Sequence, residues 1–420
     1  MHLTQRWKMF FLLAGMLVIS MFYRVSMAVV SFDLTTDLGL SAAELGVISG
    51  VFFYAFACAQ IPLGSLLDRF GGRVMISLLG VVTAGGSLLF ALASGYPQAI
   101  AGRALLGLGT ASVLMGSLKI YTNWFPPQEF AKVSGFMIAI GNLGSVGATK
   151  PLAYAIRLFG WRSTFVAASC VQLALTLVVY LITRDTPATA ETDAAAPPAP
   201  TAGNKGSIFQ VWMMLFAAPA FWLVSLMAFF WYANYMVLLA LWGGPYLREV
   251  VGLDSSAAST LLLCISFGYI CGSLLLGRAI DLLGGSLTTT MVIGQLIVLL
   301  AMTAMLGPAE LVSRTVLALI FFVIGLASAS GVIIYPLARN LVPHRFAATA
   351  LTFVNFFLLM GAAAAQHIMG LYIHSFPRGP SGYPAAAYHG AFLIPICGLA
   401  AILMFFAGNR KRFRTAPPCE

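Results

Sequence analysis

Long apolar runs dominate this chain and leave few folds open to it. About 20 consecutive apolar residues span a bilayer as a helix, whereas each strand of a membrane barrel needs about 10 alternating residues. The runs predict an all-α integral membrane protein with twelve transmembrane helices. They cover roughly residues 9–32, 43–66, 74–94, 97–122, 131–156, 163–183, 212–243, 256–279, 286–307, 312–336, 346–374 and 388–408.

The charged residues are few and unevenly placed. Only 9% of the 420 residues are charged, against about 25% in soluble domains. Of the 23 lysines and arginines, 14 fall on the side of the membrane that holds both termini, five on the other side and four inside the runs. This asymmetry predicts that both termini are cytoplasmic. We expect the membrane to be a bacterial inner membrane. The same placement explains the net charge of +10, because the basic residues lie where they contact the lipid bilayer. A nucleic-acid partner is not needed to explain it.

A low-complexity stretch divides the chain. Residues 185–207, "DTPATAETDAAAPPAPTAGNKGS", are too rich in Pro, Ala and Thr to build a packed core and predict a flexible cytoplasmic linker. The parts on either side, 1–184 and 208–420, each hold six runs. "GSLLDRFGGR" recurs as "GRAIDLLGGS" 213 residues later, and "PQEFA" recurs as "PHRFA" 216 residues later. The repeats predict two pseudo-symmetric six-helix bundles with a binding site between them.

The loop after the second run carries a family resemblance. "GSLLDRFGGR" resembles the signature loop of the major facilitator superfamily. Arg24 in the first run, "GRALLGLG", "NWFPPQEFA" and "GWRSTF" are similar to its anion:cation symporter branch, which includes carriers of sialic acid and sugar acids. The resemblance implies the major facilitator fold, alternating access, a monomer and no cofactor. It also implies that the loop latches one conformation through Gly64, Asp68, Arg69, Gly71 and Arg73.

The residues of the loop also have a physical interpretation of their own. Its glycines permit a tight turn, and Asp68 can pair with Arg69 or Arg73, or face a helix N-terminus of the other half. The alternative is a solvated turn whose exposed ion pairs each contribute under about 1 kcal/mol.

Four cations lie inside the predicted spans: Arg24, Arg103, Lys119 and Lys150. The 13 acidic residues all fall in loops or at span edges, so none lies in a span interior. A charge near the bilayer centre costs at least about 2.5–3.5 kcal/mol, so such groups face a cavity or a partner. We therefore expect the partner to be an anionic substrate, bound by Arg24 near the middle of its span. Arg103, Lys119 and Lys150 are further candidates to line the cavity and bind it. Arg24 could instead bond backbone carbonyls, Arg103 could brace helices, Lys119 could extend to the cytoplasm, and Lys150 could reach the outer headgroups.

Polar residues could complete the site. Tyr232 and Asn234 in the seventh span, Asn355 in the eleventh, and Tyr54 and Gln60 in the second are candidates for hydrogen bonds to a substrate. Tyr235 and Tyr269 are interpreted as packing residues.

The sequence gives fewer indications of which ion drives transport. The family's usual acidic proton carriers correspond to Tyr23 and Thr110 here, so this chain departs from the family's pattern at both positions. His367 is the one histidine deep in a predicted span, and its intrinsic pKa suits a proton switch, although packing is the alternative. Protons, sodium, exchange and uniport all stay open.

The function predicted is secondary transport of a small organic anion of the carboxylate type. The alternatives are an exporter or facilitator of a neutral or amphipathic solute and a membrane-embedded enzyme. The enzyme would need clustered His, Cys or acidic residues, and the six cysteines show no metal-like spacing.

Overall fold

The chain folds into long helices in both halves. A computed structural model describes residues 2–187, 218–341, 347–380 and 382–408. The helices of the first half are α1 His2–Val25, α2 Met27–Leu38, α3 Ala42–Ala91, α4 Tyr96–Thr110, α5 Ser112–Trp124, α6 Pro127–Gly141, α7 Leu143–Gly147 and α8 Lys150–Ile182. Those of the second half are α9 Pro219–Met236, α10 Gly243–Glu249, α11 Ser255–Leu282, α12 Leu287–Met302, α13 Pro308–Leu311, α14 Arg314–Ser328, α15 Ile334–Arg339, α16 Ala347–His374 and α17 Ala385–Gly408. A π-helical turn, Val237–Trp242, joins α9 to α10, and a 3₁₀ turn, Ala329–Ile333, joins α14 to α15.

The helix α3 contains two of the predicted spans. Eleven helical stretches in the described ranges are long and apolar enough to cross a membrane. One of them, α3, has 50 residues and changes direction at Gly71, where φ is 80°. Glycine adopts this left-handed backbone without the steric penalty of a Cβ atom. With α3 counted as a pair, the twelve-helix prediction is confirmed.

Polar contacts define the two ends of the bundle. At one end, which we call the loop side, Arg6 pairs with Glu129 at 3.3 Å and Trp124 Nε1 donates to the Arg184 carbonyl at 2.8 Å. At the other end, the far side, Trp161 Nε1 donates to Asp37 at 2.7 Å. Both ends of α3 lie on the far side and residues 68–73 lie on the loop side.

The two halves meet closely on the far side. Gly244 of α10 packs so tightly on the Ala28 carbonyl of α2 that a Cβ atom there would overlap it. A Cβ at Gly46 would lie 2.7 Å from the Gln366 carbonyl oxygen, and the Arg248 guanidinium lies 3.6 Å from the centre of the Phe32 ring. These contacts close the far side in this conformation.

The start of the predicted linker packs against the first half. The Asp185 carboxylate accepts hydrogen bonds from the backbone N–H groups of Gly72 and Arg73, at 2.7 and 3.0 Å. These amides begin the helical segment that follows the bend at Gly71, and a carboxylate there satisfies N–H groups that lack helical partners. The sequence-based start of a flexible linker at 185 is therefore too early, whereas residues 188–207 lie outside the described residues.

Candidate functional site

A central cavity of about 220 Å³ lies between the two halves. About 10–15 Å³ of such volume is enough to hold one water molecule, so this cavity has room for several waters or for a small organic molecule. Arg24 is the one charged residue among the described residues that line it. The polar residues around it are Ser20, Gln60, Thr110, Asn142 and Ser145 of the first half and Tyr232, Tyr235, Tyr269, Tyr335 and Asn355 of the second.

Arg24 is largely buried, with 9% of its surface exposed. Its Nη1 atom donates to the Tyr232 hydroxyl at 3.1 Å, and its guanidinium lies 4.8 Å from the centre of the Phe56 ring. Its Nε–H group has no protein partner within the described residues. A guanidinium has five N–H donors in a planar fork, so unused donors remain available to a carboxylate or phosphate.

The backbone beside Arg24 is interrupted, and Arg103 supports it. The helix α1 ends at Val25, and Ser26 separates it from α2. Arg103 is fully buried and donates from Nη1 to the Tyr23 carbonyl at 2.8 Å. It lies outside the cavity, so of its two sequence-based interpretations the structure favours the brace. We describe Arg103 as a positioning residue for the segment that carries Arg24.

Tyrosines form the cavity wall of the second half. Tyr235 and Tyr269 stack with their ring centres 5.1 Å apart, and the Tyr335 hydroxyl donates to Asn355 Oδ1 at 3.0 Å. The interpretation of Tyr235 and Tyr269 as packing residues missed that the stacked pair faces the cavity. Sequence reasoning also missed Tyr335, Asn142 and Ser145, although each is a polar residue within an apolar span.

The two predicted lysines lie outside the cavity. Lys119 Nζ pairs with Asp68 at 2.6 Å and also donates to the Leu67 carbonyl at 2.8 Å. Lys150 is exposed and lines a far-side pocket with Asp33 and Arg157. The prediction that either lysine lines the cavity is therefore corrected: both side chains lie at ends of the bundle, where water and other charges solvate them.

Three further candidates face other helices. Asn234 Nδ2 donates to the Phe230 and Pro395 carbonyls, both at 2.8 Å, and thereby links α9 to α17. Tyr54 and His367 lie beside Gly50, where α3 packs on α16. None of the three is among the cavity-lining residues.

The signature loop has a different pairing from the predicted one. Asp68 pairs with Lys119 and not with Arg69 or Arg73. Arg73 Nε donates to the Tyr180 carbonyl at 2.9 Å, while the Arg69 guanidinium lies 5.2 Å from the centre of the Phe70 ring. A Cβ at Gly64 would meet nothing within 4 Å, so a close helix approach does not require glycine there in this conformation.

Comparisons with known proteins agree with this architecture. Residues 12–366 match the sequence pattern of the Major Facilitator Superfamily. The probable L-galactonate transporter of Escherichia coli is 28% identical over 66% of this chain and 60% of its own length. The probable galactarate/D-glucarate transporter of Bacillus subtilis is 28% identical over 41% of this chain and 39% of its own length. The chain thus aligns with less than two thirds of the length of either relative.

A solved structure shares the fold across the chain. It is the bacterial homolog of the human lysosomal transporter Spinster in an inward-facing and unoccupied conformation. The two chains align with a TM-score of 0.79 and 19% identity, over 99% of each. At this identity the likeness concerns the fold alone.

Proposed function

We propose that this chain, which belongs to the major facilitator superfamily, is a secondary transporter that moves a small organic anion by alternating access. The observation that carries the proposal is the position of Arg24, whose guanidinium is the one charged group among the described residues lining the cavity between the halves. Among the described residues, its hydrogen-bond partner is a neutral hydroxyl and its aromatic contact is the Phe56 ring.

The energetics of a buried charge support an anionic ligand. A cation taken out of water without a counter-ion is destabilised, and a carboxylate partner offsets that loss. The hydroxyl and amide groups around Arg24 suit a ligand that also carries hydroxyl groups. Relatives named as transporters of galactonate and of galactarate or glucarate agree with such a ligand, and are not named as enzymes.

Uptake into proteoliposomes tests this function. We expect D-galactonate to be taken up or exchanged, whereas D-galactose, which has the same chain length and no carboxylate, should be neither transported nor inhibitory. Transport of the neutral sugar and not of the acid would favour the rival function, a carrier of neutral solutes.

The coupling ion stays a prediction. His367 contacts α3 and not the cavity, so a proton there would act on the packing of α3 against α16 and not on the bound anion. If it carries the proton, His367→Gln should abolish uptake driven by a pH gradient and preserve counterflow exchange. An unchanged pH dependence would exclude His367 as the proton carrier and leave protonation of the substrate, sodium coupling, exchange or uniport.

The protein is a multi-pass membrane protein, and we propose that its loop side faces the cytoplasm of a bacterial inner membrane, which places both termini inside. Leu282 on the loop side and Leu311 on the far side are 86% and 89% exposed. In a cysteine-free background, Leu282→Cys should react only from the cytoplasm and Leu311→Cys only from outside. The reverse pattern would contradict this orientation.

We propose that Asp68 latches the loop side during the transport cycle by facing a helix N-terminus of the second half when that side closes. In the conformation described here, Asp68 pairs with Lys119 of its own half. The pair joins the signature loop to α5, but its side chains are 81% and 33% exposed, so it contributes under about 1 kcal/mol to folding. Asp68→Asn should therefore slow turnover severalfold while leaving the melting temperature nearly unchanged.

The second copy of the loop supplies the matched control for this latch. Asp281 occupies the equivalent position and is also exposed, so Asp281→Asn should change turnover less than Asp68→Asn. Equal turnover in wild type and Asp68→Asn, at equal protein amounts, would reduce the loop to a turn.

A further inference from the structure

We infer that the central cavity selects organic acids with a single negative charge and rejects dicarboxylates of the same chain length. The inference rests on the proposed function, because it assigns a substrate class to the same site. Its starting observation is that the described residues lining the cavity include one cation, Arg24.

The other intramembrane cations are held elsewhere. Arg103 is fully buried and bonded to the Tyr23 carbonyl. Lys119 pairs with Asp68 at 2.6 Å, and Lys150 lies in the far-side pocket. A second carboxylate of a bound ligand would therefore meet no cation in the part of the cavity wall that the structure describes.

The remainder of the wall suits neutral polar groups. Tyr335 and Asn355 bond each other at 3.0 Å, and both retain further hydrogen-bonding capacity for a ligand hydroxyl. Gln60, Asn142 and Ser145 add neutral polar groups from the first half. The stacked rings of Tyr235 and Tyr269 offer a flat apolar surface for the C–H groups of a carbon chain.

Closure of the cavity makes the charge decisive. Alternating access requires an occluded state in which water around the ligand is largely removed. One carboxylate beside Arg24 gives a neutral loaded cavity, whereas a dicarboxylate leaves one uncompensated negative charge near the bilayer centre. That charge disfavours occlusion by roughly 100-fold, from the penalty for an unpaired charge in a membrane interior.

The names of the relatives do not distinguish monocarboxylates from dicarboxylates as substrates. One is named for galactonate, which has one carboxylate, and another for galactarate or glucarate, which have two. The charge of this chain's own cavity favours the first class.

A matched pair of acids tests the inference. Galactarate is galactonate with the terminal CH₂OH oxidised to a carboxylate, so the pair differs in charge at constant chain length. We expect galactonate to raise the melting temperature and to be transported, and galactarate to have a transport rate at least about tenfold lower at equal concentration.

A second cation should change the preference. Asn355→Lys places an ammonium on the second-half wall and should raise galactarate transport relative to galactonate at least about tenfold. Asn355→Met removes the same amide and adds an unbranched chain without charge, so it should not favour galactarate.

The outcomes separate the two proposals. Equal or better transport of galactarate by the wild type would overturn the inference and leave anion transport standing, as would an equal gain of galactarate transport in Asn355→Met and Asn355→Lys. If neither acid shifts the melting temperature or is transported, and related mono- and dicarboxylates also fail, the proposed function itself falls and the inference with it.

Discussion

Replacing Arg24 with alanine is expected to weaken binding of the anionic substrate by about 10- to 100-fold. A charge-assisted hydrogen bond contributes about 1.5–3 kcal/mol, and each tenfold change in affinity corresponds to about 1.4 kcal/mol. Arg24→Lys should recover only part of the loss, because an ammonium keeps the charge but not the planar fork that binds a carboxylate through two hydrogen bonds.

The same substitution should not destabilise the empty protein. Arg24 makes one hydrogen bond, to Tyr232, and its buried charge has no acidic partner among the residues that line the cavity. Its removal therefore relieves a desolvation penalty while it loses that hydrogen bond and the contact with the Phe56 ring. The measurement is anion affinity by calorimetry together with the melting temperature without ligand.

Lys150→Ala is the matched control for Arg24→Ala. It removes a cation from a transmembrane helix at a point outside the cavity, so affinity should stay at the wild-type value. Unchanged affinity in Arg24→Ala would show that Arg24 does not bind substrate. Lost affinity with a large fall in melting temperature would instead assign Arg24 a structural role.

Gly244→Val is expected to abolish transport while the fold persists. Gly244 packs on the Ala28 carbonyl across the boundary between the halves, and a valine side chain overlaps that oxygen. In alternating access the halves separate on the far side during part of the cycle. The substitution should therefore disfavour the conformation described here and hold the far side open, because it penalises one of two states.

Accessibility of a buried far-side residue measures this effect. Leu40 is 2% exposed and lies beside the interface between the halves, near Trp242. In a cysteine-free background, Leu40→Cys should react with a membrane-impermeant reagent much faster when Gly244→Val is also present. Normal transport in Gly244→Val would show that this contact does not take part in the cycle.

Gly144 provides the contrasting substitution. A Cβ at Gly144 would overlap the Val18 carbonyl, but both residues belong to the first half, which moves as one body in the proposed cycle. Gly144→Val should therefore lower the melting temperature, whereas Gly244→Val should mainly change which conformation is populated. Similar loss of stability in both variants would mean that Gly244 supports the fold and does not control a gate.

The sequence predicted the membrane-spanning architecture because apolar length alone nearly determines it. In hydrocarbon every backbone polar group needs an internal partner, so an apolar run of sufficient length becomes a helix. The bend of α3 at Gly71 falls within the predicted signature loop. Arg24 could be found for a related reason: a charge in the middle of an apolar span requires a cavity or a partner, and the sequence offers no acid at membrane depth.

The remaining site residues depended on which helix faces which. Lys119 and Arg103 lie on the same stretch of chain as cavity residues such as Thr110, yet Lys119 pairs with Asp68 and Arg103 binds the Tyr23 carbonyl. Helical periodicity gives the angle between two side chains on one helix. It does not say whether a given angle points into a cavity, a neighbouring helix or the membrane surface.

The sequence by itself determined that this chain spans the membrane many times, that its halves repeat one another, and that Arg24 carries a charge that the apolar surroundings do not compensate. Only the tertiary structure decided that Tyr235, Tyr269 and Tyr335 share a cavity with Arg24. The same is true of the hydrogen bond that the Asp185 carboxylate accepts from the Gly72 N–H group. The physical reason is that burial of apolar surface is additive along the chain, whereas a binding site depends on side chains far apart in sequence that meet only when helices pack.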